Sequence, residues 1–119
     1  MARISRFPHL DRLSILDRGL TDANLAHVAG LTHLTALDIA ASGVTNSGVY
    51  HLRFLRKLRS LDLRNSSVTD LEPLKHLSRL ETLDLRRTQV DDAGLAPVEN
   101  FQGLRSLDLT DTQVTDAGM

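Results

Sequence analysis

The sequence predicts an α/β solenoid, with a parallel β-sheet along one side and short helices along the other. Three observations lead to this fold class. An apolar frame recurs along the chain, each frame changes from alternating to helical spacing, and the composition is that of an ordinary globular domain. Of the 119 residues, 41% are hydrophobic and 24% are charged. This length fits one domain, and we assign residues 1–119 to it.

The recurring frame is apolar-x-x-Leu-x-x-Leu-x-apolar, followed by another apolar residue five positions later. Successive frames begin 24, 24, 22 and 24 residues apart. One such unit cannot bury both of its faces, so about four and a half units must stack and share a core. We expect the outermost units to be poorly capped at both ends. The predicted core residues of the central units are Leu34, Leu37, Ile39, Leu58, Leu61, Leu63, Leu80, Leu83 and Leu85.

Each unit has the pattern of a strand, a turn, a short helix and a second turn. The alternation of Leu61 with Leu63 is typical of a strand that buries one face. Thr21 and Asp22 then provide side-chain acceptors that suit a helix start, and Leu25 and Val28 keep one helical face apolar.

These features resemble the leucine-rich repeat family, in particular a bacterial form of ~24 residues per repeat and the repeats that accompany F-box motifs. The tags that carry the resemblance are Leu83-Asp84-Leu85 with Thr88-Gln89-Val90-Asp91-Asp92-Ala93-Gly94-Leu95, and Leu107-Asp108-Leu109 with Thr112-Gln113-Val114-Thr115-Asp116-Ala117-Gly118. The resemblance covers residues 7–119. It implies a right-handed leucine-rich-repeat solenoid, with the parallel sheet on the concave side and short helices on the convex side.

Two departures from the family pattern are expected to alter local structure. The third unit is two residues shorter and contains Pro73, which resembles the 22-residue class of repeat, whose convex element is a 3₁₀ turn. We expect a change of curvature there. Where the best-known repeats place a stacked Asn after the strand, this chain has Arg18, Ser42, Ser66, Thr88 and Thr112. A hydroxyl can bond the turn backbone but Arg18 cannot accept a hydrogen bond, so the first turn should differ.

The resemblance implies a concave face on which charged residues form ladders. The predicted partner-binding residues are Asp38, Asp62, Arg64, Asp84, Arg86, Arg87 and Asp108. Arg64, Arg86 and Arg87 are the best anchors, because arginine makes planar, bidentate contacts. A second interpretation stays open: Leu-Asp-Leu is simply the strand consensus, and Asp62 and Asp84 pair with Arg64 and Arg86 inside the sheet.

The function that the family implies is a non-catalytic module that binds a partner protein on the concave sheet face. Two alternatives remain open: a structural fragment that self-associates through uncapped ends, and the recognition arm of a longer enzyme or ligase-type protein. The sequence has no nucleophile elbow, phosphate-binding loop or zinc helix, so we predict no enzyme activity and no cofactor. We interpret His27, His51 and His76, which recur in register, as exposed polar residues rather than metal ligands.

The charge balance disfavours nucleic acid as a partner. The net charge is −1 and aromatic residues make up 3%. Charge is uneven, because residues 53–87 hold nine basic and five acidic residues, whereas residues 88–119 hold one and six. We interpret the densest basic patch, Arg53, Arg56, Lys57 and Arg59, as four charges without interleaved aromatic residues. No apolar run is long enough to span a membrane and no signal segment is apparent, so we predict no membrane contact and a cytoplasmic location.

Overall fold

A computed structural model of the chain describes residues 7, 9–40 and 43–118. In these residues five short strands form one parallel sheet, in which the strands follow one another in chain order. The strands are β1 (Arg12–Ser14), β2 (Ala36–Asp38), β3 (Ser60–Asp62), β4 (Thr82–Asp84) and β5 (Ser106–Asp108). Between them lie α1 (Asp22–Val28), α2 (Asn46–Tyr50) and α3 (Asp92–Leu95), with 3₁₀ segments at Glu72–Leu74 and Ala96–Asn100. A further 3₁₀ segment, Asp116–Gly118, follows β5. The predicted α/β solenoid with its strand–turn–helix units is confirmed.

The strands pair in the register that the repeat spacing predicts. Leu37 lies beside Leu61, and Leu61 lies beside Leu83. Backbone hydrogen bonds continue past the strand ends, as from Leu63 N to Asp84 O at 2.9 Å. Residues at equivalent positions of neighbouring repeats therefore stand side by side.

The predicted core is confirmed, since each of its nine residues is at most 2% exposed. Burying a leucine side chain of this kind stabilises the folded state by about 1.5–3 kcal/mol. Equivalent residues of the outer strands, such as Leu13 and Leu107, pack against the core but remain partly exposed. The stabilising burial is therefore concentrated in the central repeats.

At the starts of α2 and α3, side chains cap the helix as the Thr and Asp residues predict. Thr45 Oγ1 accepts a hydrogen bond from Ser47 N at 3.3 Å, and Asp91 Oδ1 accepts one from Gly94 N at 2.8 Å. At α1 the contact differs, because Thr21 N donates to Asn24 Oδ1 at 3.0 Å. These bonds satisfy backbone N–H groups that have no partner within the helix.

A further contact at the helix starts joins one repeat to the next. Asp22, the first residue of α1, accepts hydrogen bonds from Thr45 N at 2.7 Å and from Thr45 Oγ1 at 2.6 Å. The same contact joins Asp92 to Thr115. The helix-start pattern predicts a role for these residues only in their own helix, so it gives no sign of this connection between repeats.

Both expected departures from the family pattern are present in the described residues. The short third unit has the predicted 3₁₀ segment, Glu72–Leu74. At the turn after the strand, the Thr88 hydroxyl donates to Leu85 O at 2.8 Å, and Ser66 and Thr112 make the same bond. Ser42 lies outside the described residues. In the first turn Asp17 Oδ1 accepts from Gly19 N at 2.8 Å instead, so this turn does differ.

The helices are short, and within the described ranges none is long and apolar enough to cross a membrane.

Candidate functional site

Five of the predicted residues come together as a grid of ion pairs: Asp62, Arg64, Asp84, Arg86 and Asp108. Among the described residues, Asp38 takes part in none of these pairs and Arg87 pairs with Asp111 instead. Arg64 Nε lies 2.9 Å from Asp62 Oδ2 and 3.6 Å from Asp84 Oδ2. Arg86 Nη2 lies 2.7 Å from Asp84 Oδ2, and its Nε lies 3.3 Å from Asp108 Oδ2. Each of these two guanidinium groups therefore bridges two neighbouring strands. This arrangement supports the interpretation that the carboxylates pair within the sheet.

The aspartates also hold the backbone at the end of each strand. Asp38 Oδ1 accepts a hydrogen bond from Ala40 N at 3.1 Å, and Asp108 Oδ1 accepts one from Thr110 N at 3.0 Å. Asp62 and Asp84 make the same bond to the N–H two residues later. An aspartate that bonds its own backbone two residues on stabilises a turn. The Leu-Asp-Leu consensus therefore has a structural role in every repeat from the second to the fifth.

Ionisation of the grid follows from these contacts. Burial alone would favour the neutral acid of Asp84, but hydrogen bonds from Arg86 outweigh it and hold the pKa of Asp84 below its ordinary value. The hydrogen bond that Arg64 donates to the Asp62 carboxylate raises the pKa of that guanidinium. Hydrogen bonds from Thr110 lower the pKa of Asp108. These shifts favour the charged forms of Arg64, Asp84 and Asp108.

At the carboxyl edge of the sheet the grid opens into a cleft. This carboxyl-edge cleft has a volume of about 320 Å³ and is lined by Arg64, Asn65, Arg86, Arg87, Thr110 and Asp111. Three of the lining residues occupy the same turn position in successive repeats and have left-handed backbone conformations, with φ of 60° at Asn65, 57° at Arg87 and 59° at Asp111.

Arg87 differs from the other two residues at this turn position. Asn and Asp tolerate the left-handed region because their short polar side chains hydrogen-bond the nearby backbone. For most other residues the close approach of Cβ to a carbonyl oxygen makes this region unfavourable by about 1–2 kcal/mol. The Arg87 side chain is 70% exposed, and its nearest carboxylate oxygen, Asp111 Oδ2, lies 3.7 Å from its Nε. Arg87 therefore presents a nearly unpaired guanidinium at the rim of the cleft. The sequence placed Arg87 just past the strand end but gave no sign of its backbone conformation.

A second cluster, on the helix side, was missed in the sequence analysis. The Arg53 guanidinium lies 3.8 Å from the centroid of the Tyr50 ring and 4.4 Å from that of Phe54. Both aromatic side chains are about half exposed, at 52% and 54%. The expectation that this basic patch has no interleaved aromatic residues is therefore wrong. The pattern Tyr50-x-x-Arg53-Phe54 was the signal that could have found it.

Two histidines that are 24 residues apart, His9 and His33, lie side by side. The rings of His9 and His33 have centroids 5.1 Å apart, and Lys57 Nζ lies 3.4 Å from His33 Nδ1. His27 and His76 are exposed and His51 is half-buried. In the part of the chain that the structure describes, no three His, Cys, Asp or Glu side chains are grouped as metal ligands.

Comparison with known families identifies the repeat. A family model described as "Leucine Rich repeats (2 copies)" matches residues 56–97, and one described as "Leucine Rich repeat" matches residues 30–52 and 103–119. Together these matches span more than half of the chain. No curated protein sequence matches it.

Solved structures agree with the family matches. An internalin from Listeria monocytogenes has a TM-score of 0.88 at 25% identity, over 98% of this chain and 33% of that chain. A second internalin from the same organism has a TM-score of 0.87 at 28% identity, over 98% of this chain and 49% of that one. The ectodomain of the Arabidopsis receptor kinase HAESA, solved with a peptide hormone ligand, has a TM-score of 0.72 at 19% identity, over 92% of this chain and 20% of that one.

This chain belongs to the leucine-rich repeat proteins, and its repeats are of the bacterial type seen in the internalins. It spans less than half the length of either internalin chain. Domains of this family typically mediate protein–protein interactions and are typically non-catalytic.

Proposed function

We propose that this chain is a non-catalytic protein-binding module whose concave sheet face contacts the partner. The contact surface is the ion-pair grid together with the carboxyl-edge cleft. Curved repeat arrays of this kind offer an extended surface that no single repeat provides. The predicted binding residues Asp38, Asp62, Arg64, Asp84, Arg86, Arg87 and Asp108 all belong to this face or its edge.

The observation that carries the proposal is the backbone of Arg87. Two other repeats fill the same left-handed position with Asn65 and Asp111, which suit it, so nothing in the fold requires an arginine there. A residue held in an unfavourable conformation at an exposed cleft points to a function for its side chain. An exposed guanidinium binds a carboxylate of a partner with two parallel hydrogen bonds.

Arg64 and Arg86 support this role in a different way. Their ion pairs hold both guanidinium groups in place, although 35% and 41% of their side-chain surface stays exposed. A donor that is already ordered loses less conformational entropy when a partner binds. The grid therefore supplies preorganised donors, and Arg87 supplies the least neutralised charge.

Affinity capture from a lysate of the source organism tests the proposal. Wild type is compared with the Arg87→Asn variant and with the Arg64→Ala, Arg86→Ala, Arg87→Asn triple variant, each confirmed as folded by circular dichroism. We expect a partner that wild type captures and that both variants lose. Arg18→Asn is the matched control, because Arg18 is exposed and lies in the first turn, away from the cleft. Identical captures by all four proteins would contradict the proposal.

A further inference from the structure

The repeat register provides an internal comparison for the aromatic cluster on the helix side. In the preceding repeat, 24 residues earlier, Ala26 and Gly30 occupy the positions of Tyr50 and Phe54. The neighbouring core positions, Leu31 and Leu55, are buried in both repeats. The core of a repeat is therefore buried even when these two positions hold small residues. Core packing does not explain why Tyr50 and Phe54 are aromatic and half-exposed.

Basic residues at the amino edge of the sheet gather beside these rings. Arg56 and Lys57 precede β3, and Arg79 precedes β4. The position of Lys57 is held by His33 and Gly103 in the second and fifth repeats. The cations are therefore specific to the middle of the solenoid and are not part of the repeat consensus.

These cations differ from the arginines of the grid because they lack carboxylate partners. Among the described residues, none of the ion pairs within 4.0 Å includes Arg56, Lys57 or Arg79. Like charges gathered without counter-charges raise the local positive potential and attract an anionic partner. The grid, by contrast, neutralises its own charges.

Two clefts join at this edge to form what we name the amino-edge groove. One cleft, of about 370 Å³, lies among Tyr50, Phe54 and Pro73 and also includes Asp70 and Glu72. Glu72 is occupied by Lys75, whose Nζ lies 2.6 Å from its Oε1, and Asp70 Oδ1 accepts from Glu72 N at 2.9 Å.

The other cleft, of about 520 Å³, is lined by Arg56, Lys57, His76, Ser78 and Arg79. Arg56 and His76 line both clefts, so an apolar pocket continues into a basic one. A ligand that fills both clefts must combine an apolar group with negative charge.

We propose that the amino-edge groove binds an acidic segment of a partner protein, with one apolar side chain in the cleft that Tyr50, Phe54 and Pro73 line and carboxylates on Arg56, Lys57 and Arg79. Charge complementarity supports this occupant, because these three cations of the groove have no carboxylate partner within 4.0 Å in the described part of the chain. The surface lies at the sheet edge opposite to the carboxyl-edge cleft, so it is independent of the proposed function.

A protein segment fits better than a nucleic acid. The Arg53 guanidinium already covers a face of each aromatic ring, which removes stacking surface that bases need. A long polyanion would also meet the acidic residues of the last third of the chain, where Arg105 is the one basic residue against six acidic ones. A short acidic segment avoids that repulsion.

Fluorescence anisotropy with a labelled nonapeptide of eight glutamates around a central leucine tests the proposal. The competitors are the same peptide with serine in place of leucine and a single-stranded oligothymidylate of equal charge. We expect saturable binding that weakens about tenfold in the Arg56→Glu, Arg79→Glu double variant and several-fold in Phe54→Ala. The serine peptide should bind several-fold more weakly than the leucine peptide. The Arg12→Glu, Arg18→Glu double variant changes the net charge equally and should bind as wild type does.

Several results would overturn the proposal. One is the absence of saturable peptide binding below about 1 mM. Others are equal weakening in the two double-charge variants, or tighter binding of the oligothymidylate, which would indicate a nucleic-acid surface. Sedimentation equilibrium without peptide tests whether a second copy of the chain occupies the groove instead. A dimer that is lost in the Arg56→Glu, Arg79→Glu variant would assign the groove to that second copy. Because Phe54 and both arginines are exposed, the variants are expected to fold.

Discussion

Arg86 holds the carboxylate of Asp84 by two hydrogen bonds, from Nε to Oδ1 at 3.0 Å and from Nη2 to Oδ2 at 2.7 Å. This bidentate geometry fixes both side chains in the middle of the sheet face. Arg86 also contacts Asp108 on the next strand. The Arg86–Asp84 pair therefore joins neighbouring repeats and also forms part of the surface that we propose binds a partner.

The first prediction concerns acid. The pKa values of Asp84, Asp92 and Asp108 are lowered in the folded protein. An unfolded aspartate has a pKa of about 3.9, so these groups contribute stability that is complete above about pH 5 and is lost as pH falls through the lower, folded pKa values. Urea unfolding at pH 7, 5 and 3 should give equal free energies of unfolding at the first two values and a smaller one at pH 3.

The control for this experiment is Asp84→Asn, which removes one of the groups. Its free energy of unfolding should fall less between pH 5 and pH 3 than that of wild type. A wild-type protein that is as stable at pH 3 as at pH 5 would disprove the linkage between these carboxylates and folding.

The second prediction concerns the backbone of Arg87. Replacing Arg87 by Asn or Gly relieves the unfavourable left-handed conformation, so we expect the free energy of unfolding to rise by about 0.5–1 kcal/mol in each variant. Asn65→Ala is the converse control and should lower stability, because alanine disfavours φ of 60°. Chemical denaturation measures the free energy of unfolding of all three variants. A loss of stability in both Arg87→Asn and Arg87→Gly would show that the side chain stabilises the fold instead.

The third prediction concerns the contact between α3 and the short third repeat. A Cβ added at Gly94 would overlap the carbonyl oxygen of Thr69, whereas one added at Gly30 meets nothing within 4 Å. Because Thr69 O belongs to the backbone and cannot move alone, Gly94→Ala should destabilise the protein by about 1–3 kcal/mol or more. Gly30→Ala should be neutral or slightly stabilising. Equal midpoints for the two variants in thermal unfolding would contradict this packing.

The fourth prediction concerns how stability is distributed along the solenoid. Leu83 is 1% exposed, so Leu83→Ala should cost about 2–5 kcal/mol. The equivalent Leu107 of β5 is partly exposed, and Leu107→Ala should cost distinctly less. Native-state hydrogen exchange should likewise show weaker protection in β1 and β5 than in β3. Uniform protection across the five strands would rule out weak outer repeats.

The fold and core were predictable because leucine spacing alone sets the register of a repeat. Once Leu61 and Leu83 are buried at equivalent positions, the alternation along each strand places Asp62 and Asp84 side by side on the opposite face. The pairing of Asp62 and Asp84 with Arg64 and Arg86 follows from the same register. It was therefore available from the sequence as one of two interpretations.

The remaining features depend on geometry that residue type does not specify. An arginine at position 87 does not by itself predict a left-handed backbone. That conformation comes from the turn, which has the same geometry at Asn65 and Asp111. The bond from Thr45 to Asp22 joins helix starts 23 positions apart, which local capping rules do not consider. The aromatic pair around Arg53 is not part of the repeat consensus. A sequence search that follows the consensus positions does not detect such a pair.

Isothermal titration calorimetry of a captured partner against wild type and Arg87→Asn tests the central claim most directly. Our account predicts that the variant binds at least about tenfold more weakly while its free energy of unfolding is unchanged or higher. Such a result would separate binding from folding at a single side chain. Equal dissociation constants for the two proteins would contradict the claim that the carboxyl-edge cleft binds the partner.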